Sequence, residues 1–169
     1  SEDVKRHGFS NYAEMTGQRG RWQRVDLADG PTIVFDGAHN RDSVAAAAQA
    51  MATLVASKEG KLYVIWGAVA DKDHDDVMRL LPREASYMWC AANIPRAMNA
   101  TELAMLRPEL GGEVRESPAE ALKHFIEESG ANDVIWVGGS IFLVGEALRE
   151  APFIIPNWPD SASMDKPAC

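Results

Sequence analysis

The sequence has few of the features that mark membrane, secreted or nucleic-acid-binding proteins. Its 169 residues include only two cysteines, Cys90 and Cys169, which are too few for a disulfide framework or a cysteine zinc site. No apolar stretch approaches the ~20 residues of a transmembrane helix. The net charge of −8 disfavours binding to a phosphate backbone. These absences favour a cytoplasmic protein whose partners are neither nucleic acids nor membranes.

Two phosphate-binding fingerprints are also missing from the sequence. Gly60-Lys61 is followed by Leu62 and lacks the earlier glycine of G-x-x-x-x-G-K-[ST], and no G-x-G-x-x-G occurs. The chain is therefore predicted to be neither a self-sufficient P-loop enzyme nor an ordinary dinucleotide dehydrogenase. It begins at Ser1 without a methionine or the apolar core of a signal peptide, and we expect it to be part of a longer polypeptide.

Short apolar runs alternate with helical patterns along most of the chain. The runs lack strict alternation of polar and apolar residues, which is typical of strands buried on both faces. We therefore predict an α/β fold with a mainly parallel sheet and helices on both faces. A moderately alternating segment, Arg21–Leu27, followed by the turn pair Asp29-Gly30, predicts one antiparallel strand at the edge. The other predicted strands are Thr32–Phe35, Leu62–Trp66, Tyr87–Ala91, Asp133–Val137 and, more weakly, Glu113–Arg115.

Helix starts are indicated by capping residues. Residues 41–57 form an amphipathic pattern, Ser117–Glu120 reads as a capping box, and Asn99 is a candidate N-cap. The last helix is predicted to run from about Ser140 to Arg149.

The chain divides into a linker at residues 1–20, a domain at 21–150 and a tail at 151–169. Four prolines in the tail, at 152, 156, 159 and 167, predict that it is neither a helix nor a central strand. Its apolar residues Phe153, Ile154, Ile155 and Trp158 predict that its first part packs on the domain.

Ligands of open parallel sheets bind outside the carboxyl ends of the strands. That rule selects four segments: residues 36–40, 67–76, 93–98 and 138–140. In the first, Asp36 could accept hydrogen bonds from a ribose, and Asn40 or the helix amides could hold an anion. Equally, Asp36 and Asn40 could satisfy backbone donors while His39 is a surface turn residue.

The segment Asp71–Asp76 resembles the start of an EF-hand loop, but Asp76 and Pro82 stand where glycine and glutamate are required, which excludes calcium. Lys72 remains as a cation beside a helix start, unless the segment is simply a solvated acidic first turn. In Gly138-Gly139-Ser140 the serine could bind a carboxylate or only cap a helix. Phe142 replaces the second glycine of G-x-S-x-G, so a hydrolase built on Ser140 and His39 is disfavoured.

Four elements together resemble the C-terminal domain of folylpolyglutamate/dihydrofolate synthases, members of the Mur ligase superfamily. They are Gly20–Gln23, Asp36–Asn40, Asp71–Asp73 and Gly139–Ser140 with the following Ile141–Gly145. The resemblance covers about residues 17–150 and implies a Rossmann-like sheet of about six strands with one antiparallel strand. Two positions depart from the family pattern: Arg41 stands where proline is frequent, and His74 where an apolar residue is more usual.

The resemblance implies an ATP-dependent ligase that joins glutamate to a folate or pteroate through an acyl phosphate. It also implies a role for individual residues. The implied contacts are Arg21 with ATP phosphates, Asp36 with the ribose, and Lys72 and Ser140 with glutamate carboxylates. His39 and Asn40 are implied to line the interdomain cleft, with Asn40 among the ATP-binding residues and His39 not catalytic on its own.

In that family the P-loop and the Mg²⁺ ligands belong to an N-terminal domain. The resemblance therefore implies that this chain binds ATP and L-glutamate but is inactive without that partner domain, which also holds most of the folate or dihydropteroate. The alternative is a stand-alone α/β ligand-binding or regulatory module with the same fold.

Overall fold

The computed structural model describes residues 20–71, 74–155 and 158. Within them the chain forms six strands, five α-helices and a 3₁₀ turn at Pro108–Leu110. None of these helices is long and apolar enough to cross a membrane. The elements are, in chain order, β1 (Gln23–Asp26), β2 (Thr32–Asp36), α1 (Arg41–Lys58), β3 (Leu62–Trp66), α2 (Asp75–Met78), β4 (Ala85–Trp89), α3 (Ala100–Met105), β5 (Glu113–Val114), α4 (Pro118–Glu128), β6 (Val134–Gly138) and α5 (Ile141–Ile154).

The six strands form one sheet in the order β1-β2-β6-β3-β4-β5. β1 runs antiparallel to β2, and the other neighbouring pairs are parallel. This confirms the predicted mainly parallel sheet with one antiparallel strand. β6, the last strand in the sequence, lies between β2 and β3 and pairs with both along its whole length.

Two hydrophobic cores lie on opposite faces of the sheet. Successive side chains of a strand point to opposite faces, so each central strand contributes to both cores. Ile33 and Phe35 of β2 pack with α4 and α5, whereas Val34 packs with α1, α2 and α3. The predicted placement of helices on both faces is confirmed, and burial of the central strands on both sides explains why their sequences are continuously apolar.

The predicted capping box at Ser117 forms only in part. The Glu120 N–H donates to Ser117 Oγ (3.1 Å), but the Glu120 carboxylate accepts from the Glu116 N–H (3.2 Å) instead of the Ser117 N–H. β4 also begins two residues earlier than predicted, at Ala85, and ends at Trp89.

The prediction that the segment from Ala151 onward contains no helix was wrong. α5 continues to Ile154 with Pro152 inside it, and the Ile155 N–H donates to the Ala151 carbonyl (2.8 Å). Pro152 lies in the last turn, where its missing N–H removes only one helical hydrogen bond. Ile155 is buried and Trp158 meets Phe35 edge-to-face at 6.1 Å, but Phe153 is 86% exposed, contrary to its predicted packing.

Gly139 and Gly145 provide a matched test of backbone packing. Gly139 has φ 87°, and a Cβ there would lie 2.6 Å from Trp66 Cε2, whereas a Cβ on Gly145 in α5 would meet no atom within 4 Å. We expect Gly139→Ala to lower the free energy of unfolding by about 2 kcal/mol or more. Gly145→Ala should raise it by about 0.5–1 kcal/mol. Urea denaturation measures both, and equal midpoints for the two variants would contradict the packing described.

Candidate functional site

The sheet topology brings three distant sequence segments to one edge. β2, β6 and β3 end side by side, with Asp36 and Trp66 both in register with Gly138. β1 runs the opposite way and pairs Gln23 with Phe35, so the residues just before β1 lie at that same edge. We call this the carboxyl edge. It gathers Gly20–Trp22, Asp36–Asn40 and Gly138–Ser140; the last two are among the four segments selected from the sequence, and the first belongs to the family resemblance.

Asp36 lies at the junction of two of these segments. Its Oδ1 accepts from the Ala38 N–H (2.8 Å) and its Oδ2 accepts from the Trp22 N–H (3.0 Å). Burial raises the pKa of Asp36, and the two backbone donors and the Arg21 guanidinium only partly offset this. Asp36 thus satisfies backbone donors, as one of the two sequence interpretations proposed, while lone pairs of both oxygens remain for a ligand.

The two residues that follow Ala38 differ in what they offer a ligand. Asn40 caps α1: its Oδ1 accepts from the Ser43 N–H (3.0 Å), and Ser43 Oγ accepts from the Asn40 N–H (3.3 Å). Its amide nitrogen retains its donors. His39 is half-buried, with Nδ1 2.9 Å from the Gly37 carbonyl oxygen. Because a carbonyl only accepts, Nδ1 carries the proton in this bond, which leaves Nε2 of the neutral ring as an acceptor.

Ser140 begins α5 and is almost fully buried, at 4% exposure. Its Oγ accepts from the Phe142 N–H (3.2 Å), so it caps the helix. A capping hydroxyl still has its own hydrogen to donate. Capping and ligand binding, which the sequence left as alternatives, are therefore compatible at this residue.

A cleft of about 180 Å³ opens at the carboxyl edge. It brings together His39 and Ser140, which were predicted from the sequence, and adds a cation that was not named individually, Arg96. The lining residues are His39, Val69, Arg96, Gly139, Ser140, Ile141 and Phe142.

Arg96 is held in the cleft by two loops. The Ala70 N–H donates to the Arg96 carbonyl, and the Met98 N–H donates to the Ala68 carbonyl (both 2.9 Å). Arg96 Nη2 lies 2.9 and 3.0 Å from the Asp71 carboxylate oxygens. The guanidinium carbon lies 5.8 Å from the centre of the Phe142 ring. A guanidinium placed over an aromatic ring and beside an open cleft suits a ligand carboxylate or phosphate.

The remaining predicted residues lie around this cleft or outside the described chain. Arg21 is exposed on the turn before β1, close enough to Asp36 to affect its pKa. Lys72 falls in the short gap at 72–73, outside the described residues. In the described part of the chain, no group of three or more histidines, cysteines and acidic residues is arranged to hold a metal ion. Of the two departures from the family pattern, Arg41 is the first residue of α1 and His74 directly precedes α2.

The family model described as the Mur ligase glutamate ligase domain matches residues 20–141. The chain belongs to the Mur ligase family. Its resemblance to the C-terminal domain of folylpolyglutamate/dihydrofolate synthases is likewise confirmed. A probable bifunctional folylpolyglutamate synthase/dihydropteroate synthase of Haloferax volcanii is 35% identical over 120 residues. A dihydrofolate synthase/folylpolyglutamate synthase of Bacillus subtilis is 25% identical over 128 residues.

Solved structures of Mur ligase family members show the same fold. E. coli FolC in complex with DHPP and ADP has a TM-score of 0.69 and 25% identity over 80% of this chain. A Yersinia pestis folylpolyglutamate synthase/dihydrofolate synthase with AMPPNP and Mn has a TM-score of 0.68 and 23% identity over 80%. The chain spans 32% and 31% of those two proteins. It spans 14% of the Haloferax relative and 29% of the Bacillus one, while those matches include 69% and 75% of this chain.

The raised pKa of Asp36 predicts a pH dependence of stability. A carboxyl that is protonated more readily in the folded state contributes stability below the ordinary value of 3.8 and loses it as the pH rises through its raised pKa. The difference in free energy of unfolding between the natural chain and Asp36→Ala should therefore shrink as the pH rises from below 3.8. Urea unfolding across a pH series measures it, with Asp42→Ala as the control for removal of a carboxylate. A difference in free energy of unfolding that grows with pH would contradict a raised pKa of Asp36.

Proposed function

We propose that this chain is the ATP- and glutamate-binding domain of a folylpolyglutamate or dihydrofolate synthase. Such an enzyme is a cytoplasmic ATP-dependent ligase that joins glutamate to a folate or dihydropteroate. The observation that carries the proposal is the cleft at the carboxyl edge, where Arg96 and Ser140 offer donors at the same edge of the sheet as the Gly20–Trp22 turn. Membership of the Mur ligase family, through its glutamate ligase domain, supports it.

The nucleotide end of the proposed site is formed by the turn before β1 and the segment after β2. Arg21 offers an exposed guanidinium to phosphate oxygens, which it can contact with two parallel hydrogen bonds. The free lone pairs of Asp36 can accept from a ribose, and the Asn40 amide nitrogen can donate. The similar Yersinia and E. coli proteins were solved with AMPPNP and with ADP, which supports a nucleotide in this family.

The amino-acid end is proposed to be the cleft itself. One similar Yersinia structure contains L-glutamate together with AMPPNP and Mn. In this chain the Arg96 guanidinium would exchange part of its pairing with Asp71 for a glutamate carboxylate, and the Ser140 hydroxyl would donate to the same or the second carboxylate. Lys72, next to Asp71 in the sequence, is proposed as a further cation for these carboxylates.

The chemical step is proposed to require an N-terminal domain of the parent protein. The sequence contains no P-loop, so nothing in it matches the usual device for holding the β- and γ-phosphates. The described residues also provide no cluster suited to Mg²⁺. Without those groups, the charge that develops on a transferring phosphoryl group is largely unmatched. The P-loop, the Mg²⁺ ligands and most of the folate site are assigned to the partner domain.

The amino-acid end can be tested by removing its cation. We expect Arg96→Ala to weaken binding of L-glutamate to the isolated chain about tenfold or more, because a hydrogen-bonded charge pair is lost. Titration followed by NMR amide shifts measures weak binding of this kind. Arg83→Ala removes a positive charge just before β4, at the opposite edge of the sheet, and should leave the affinity unchanged. Equal losses of affinity in the two variants would show that Arg96 acts only through the net charge of the chain.

The proposed dependence on a partner domain gives a second test. Purified chain incubated with ATP, Mg²⁺, L-glutamate and a folate or dihydropteroate should release no phosphate above the rate without glutamate. The Arg21→Ala variant serves as the control for contaminating ATPases, which it would leave unchanged. Glutamate-dependent phosphate release that is abolished in Arg21→Ala would show that the chain is catalytic by itself and would overturn this part of the proposal.

A further inference from the structure

The Gly20–Trp22 turn, which carries Arg21, is attached to the sheet through its backbone. The Trp22 N–H donates to Asp36 Oδ2 (3.0 Å), and the Gly37 N–H donates to the Gly20 carbonyl (2.8 Å). The Gly20 N–H donates in turn to Gln23 Oε1 (3.1 Å). The first of these three bonds links Trp22, which follows Arg21 in the chain, to the side chain of Asp36 in β2.

One residue of this turn has a backbone conformation that is sterically unfavourable for a bulky side chain. Trp22 has φ 46°, in the left-handed region, where a bulky residue is strained. Its side chain is 39% exposed, so packing of the indole only partly compensates. The bond from the Trp22 N–H to Asp36 therefore acts on the strained residue itself.

From these contacts we infer that Asp36 is a positioning residue for Arg21. Its carboxylate fixes Trp22 in the left-handed conformation and thereby directs the neighbouring guanidinium toward the carboxyl edge. This inference rests on the proposed function, in which Arg21 contacts nucleotide phosphates. It gives Asp36 a role that is separate from any contact with a ribose.

The positioning role can be distinguished from a simple effect of the Asp36 charge, because the two change anion binding in opposite directions. Removal of a carboxylate near Arg21 strengthens the attraction of the edge for an anion. Loss of positioning has the opposite effect, because Arg21 must then be ordered at the cost of conformational entropy when the anion binds. A weaker binding of a polyphosphate by Asp36→Ala can therefore not come from the change in charge.

The experiment compares ATP with inorganic tripolyphosphate, which has no ribose. Affinities of the full 169-residue chain for both are measured by calorimetry, or by NMR titration where they are weak. We expect Asp36→Ala to weaken tripolyphosphate binding roughly five- to tenfold, as for a lost hydrogen bond to a charged group. ATP binding should weaken by at least that factor, because the proposed ribose contact is lost as well. In an Arg21→Ala background, Asp36→Ala should cause no further loss for tripolyphosphate, because the guanidinium that it positions is absent.

Trp22→Gly provides the rescue. Glycine adopts the left-handed conformation without steric cost. Trp22→Gly in the Asp36→Ala background is therefore expected to restore roughly two- to threefold of the lost tripolyphosphate affinity. Asp42→Ala, which removes an exposed carboxylate from the first turn of α1, is the charge control and should not weaken the binding of either ligand.

The outcomes separate this inference from the proposed function. A loss confined to ATP, with tripolyphosphate unaffected or bound more tightly, would overturn the positioning role and leave nucleotide binding intact. A loss for both ligands without any rescue of tripolyphosphate binding by Trp22→Gly would also overturn it, because the strain at Trp22 would then be irrelevant. No binding of either ligand, or binding that Arg21→Ala leaves unchanged, would overturn the nucleotide role of Arg21 and the positioning role with it.

Discussion

The carboxyl ends of β6, β3 and β4 are packed so closely that no side chain fits at Gly139 or Gly67. A Cβ on Gly139 would lie 2.6 Å from the Trp66 ring, and one on Gly67 would lie 2.5 Å from the Cys90 carbonyl oxygen. The Gly67 N–H meanwhile donates to the Gly138 carbonyl (3.3 Å). These contacts fix the position at which β3 and β6 end and α5 begins. A ligand at this edge therefore has access to the backbone at Gly139 and to Ser140, beside the side chains of Ile141 and Phe142.

The region beneath this edge is rigid because large aromatic residues fill it. Trp66 and Trp136 are fully buried and meet edge-to-face at 5.2 Å. Dense packing of this kind resists displacement. The exposed charges of the site lie at the rim, where Arg21 and Arg96 extend from loops that are hydrogen-bonded to neighbouring segments. The site thus combines a densely packed base with charges at its rim.

The sequence predicts the sheet and the location of the site better than it predicts contacts. Strands buried on both faces appear as apolar runs, and parallel strands necessarily end at one edge, so residues 36–40 and 138–140 could be placed there without coordinates. Arg96 was missed as an individual residue because its significance depends on Asp71 and Phe142, which tertiary structure brings to it. A lone cation in a loop at a carboxyl end was the one available signal.

The other differences between the sequence predictions and the structure, at Asn40 and Pro152, have local causes. Asn40 was equally compatible with holding a ligand and with capping, and only the position of Ser43 showed that its oxygen caps α1. Pro152 was taken as a helix breaker, but its effect depends on how many hydrogen bonds remain to be lost, and in the last turn few remain.

The direction of β1 has a mechanical consequence. Since β1 starts at the carboxyl edge, the preceding polypeptide joins the domain at Gly20, beside Asp36 and Arg21. A displacement of Gly20 would therefore reach Arg21 directly along the chain and the end of β2 through the hydrogen bond from the Gly37 N–H.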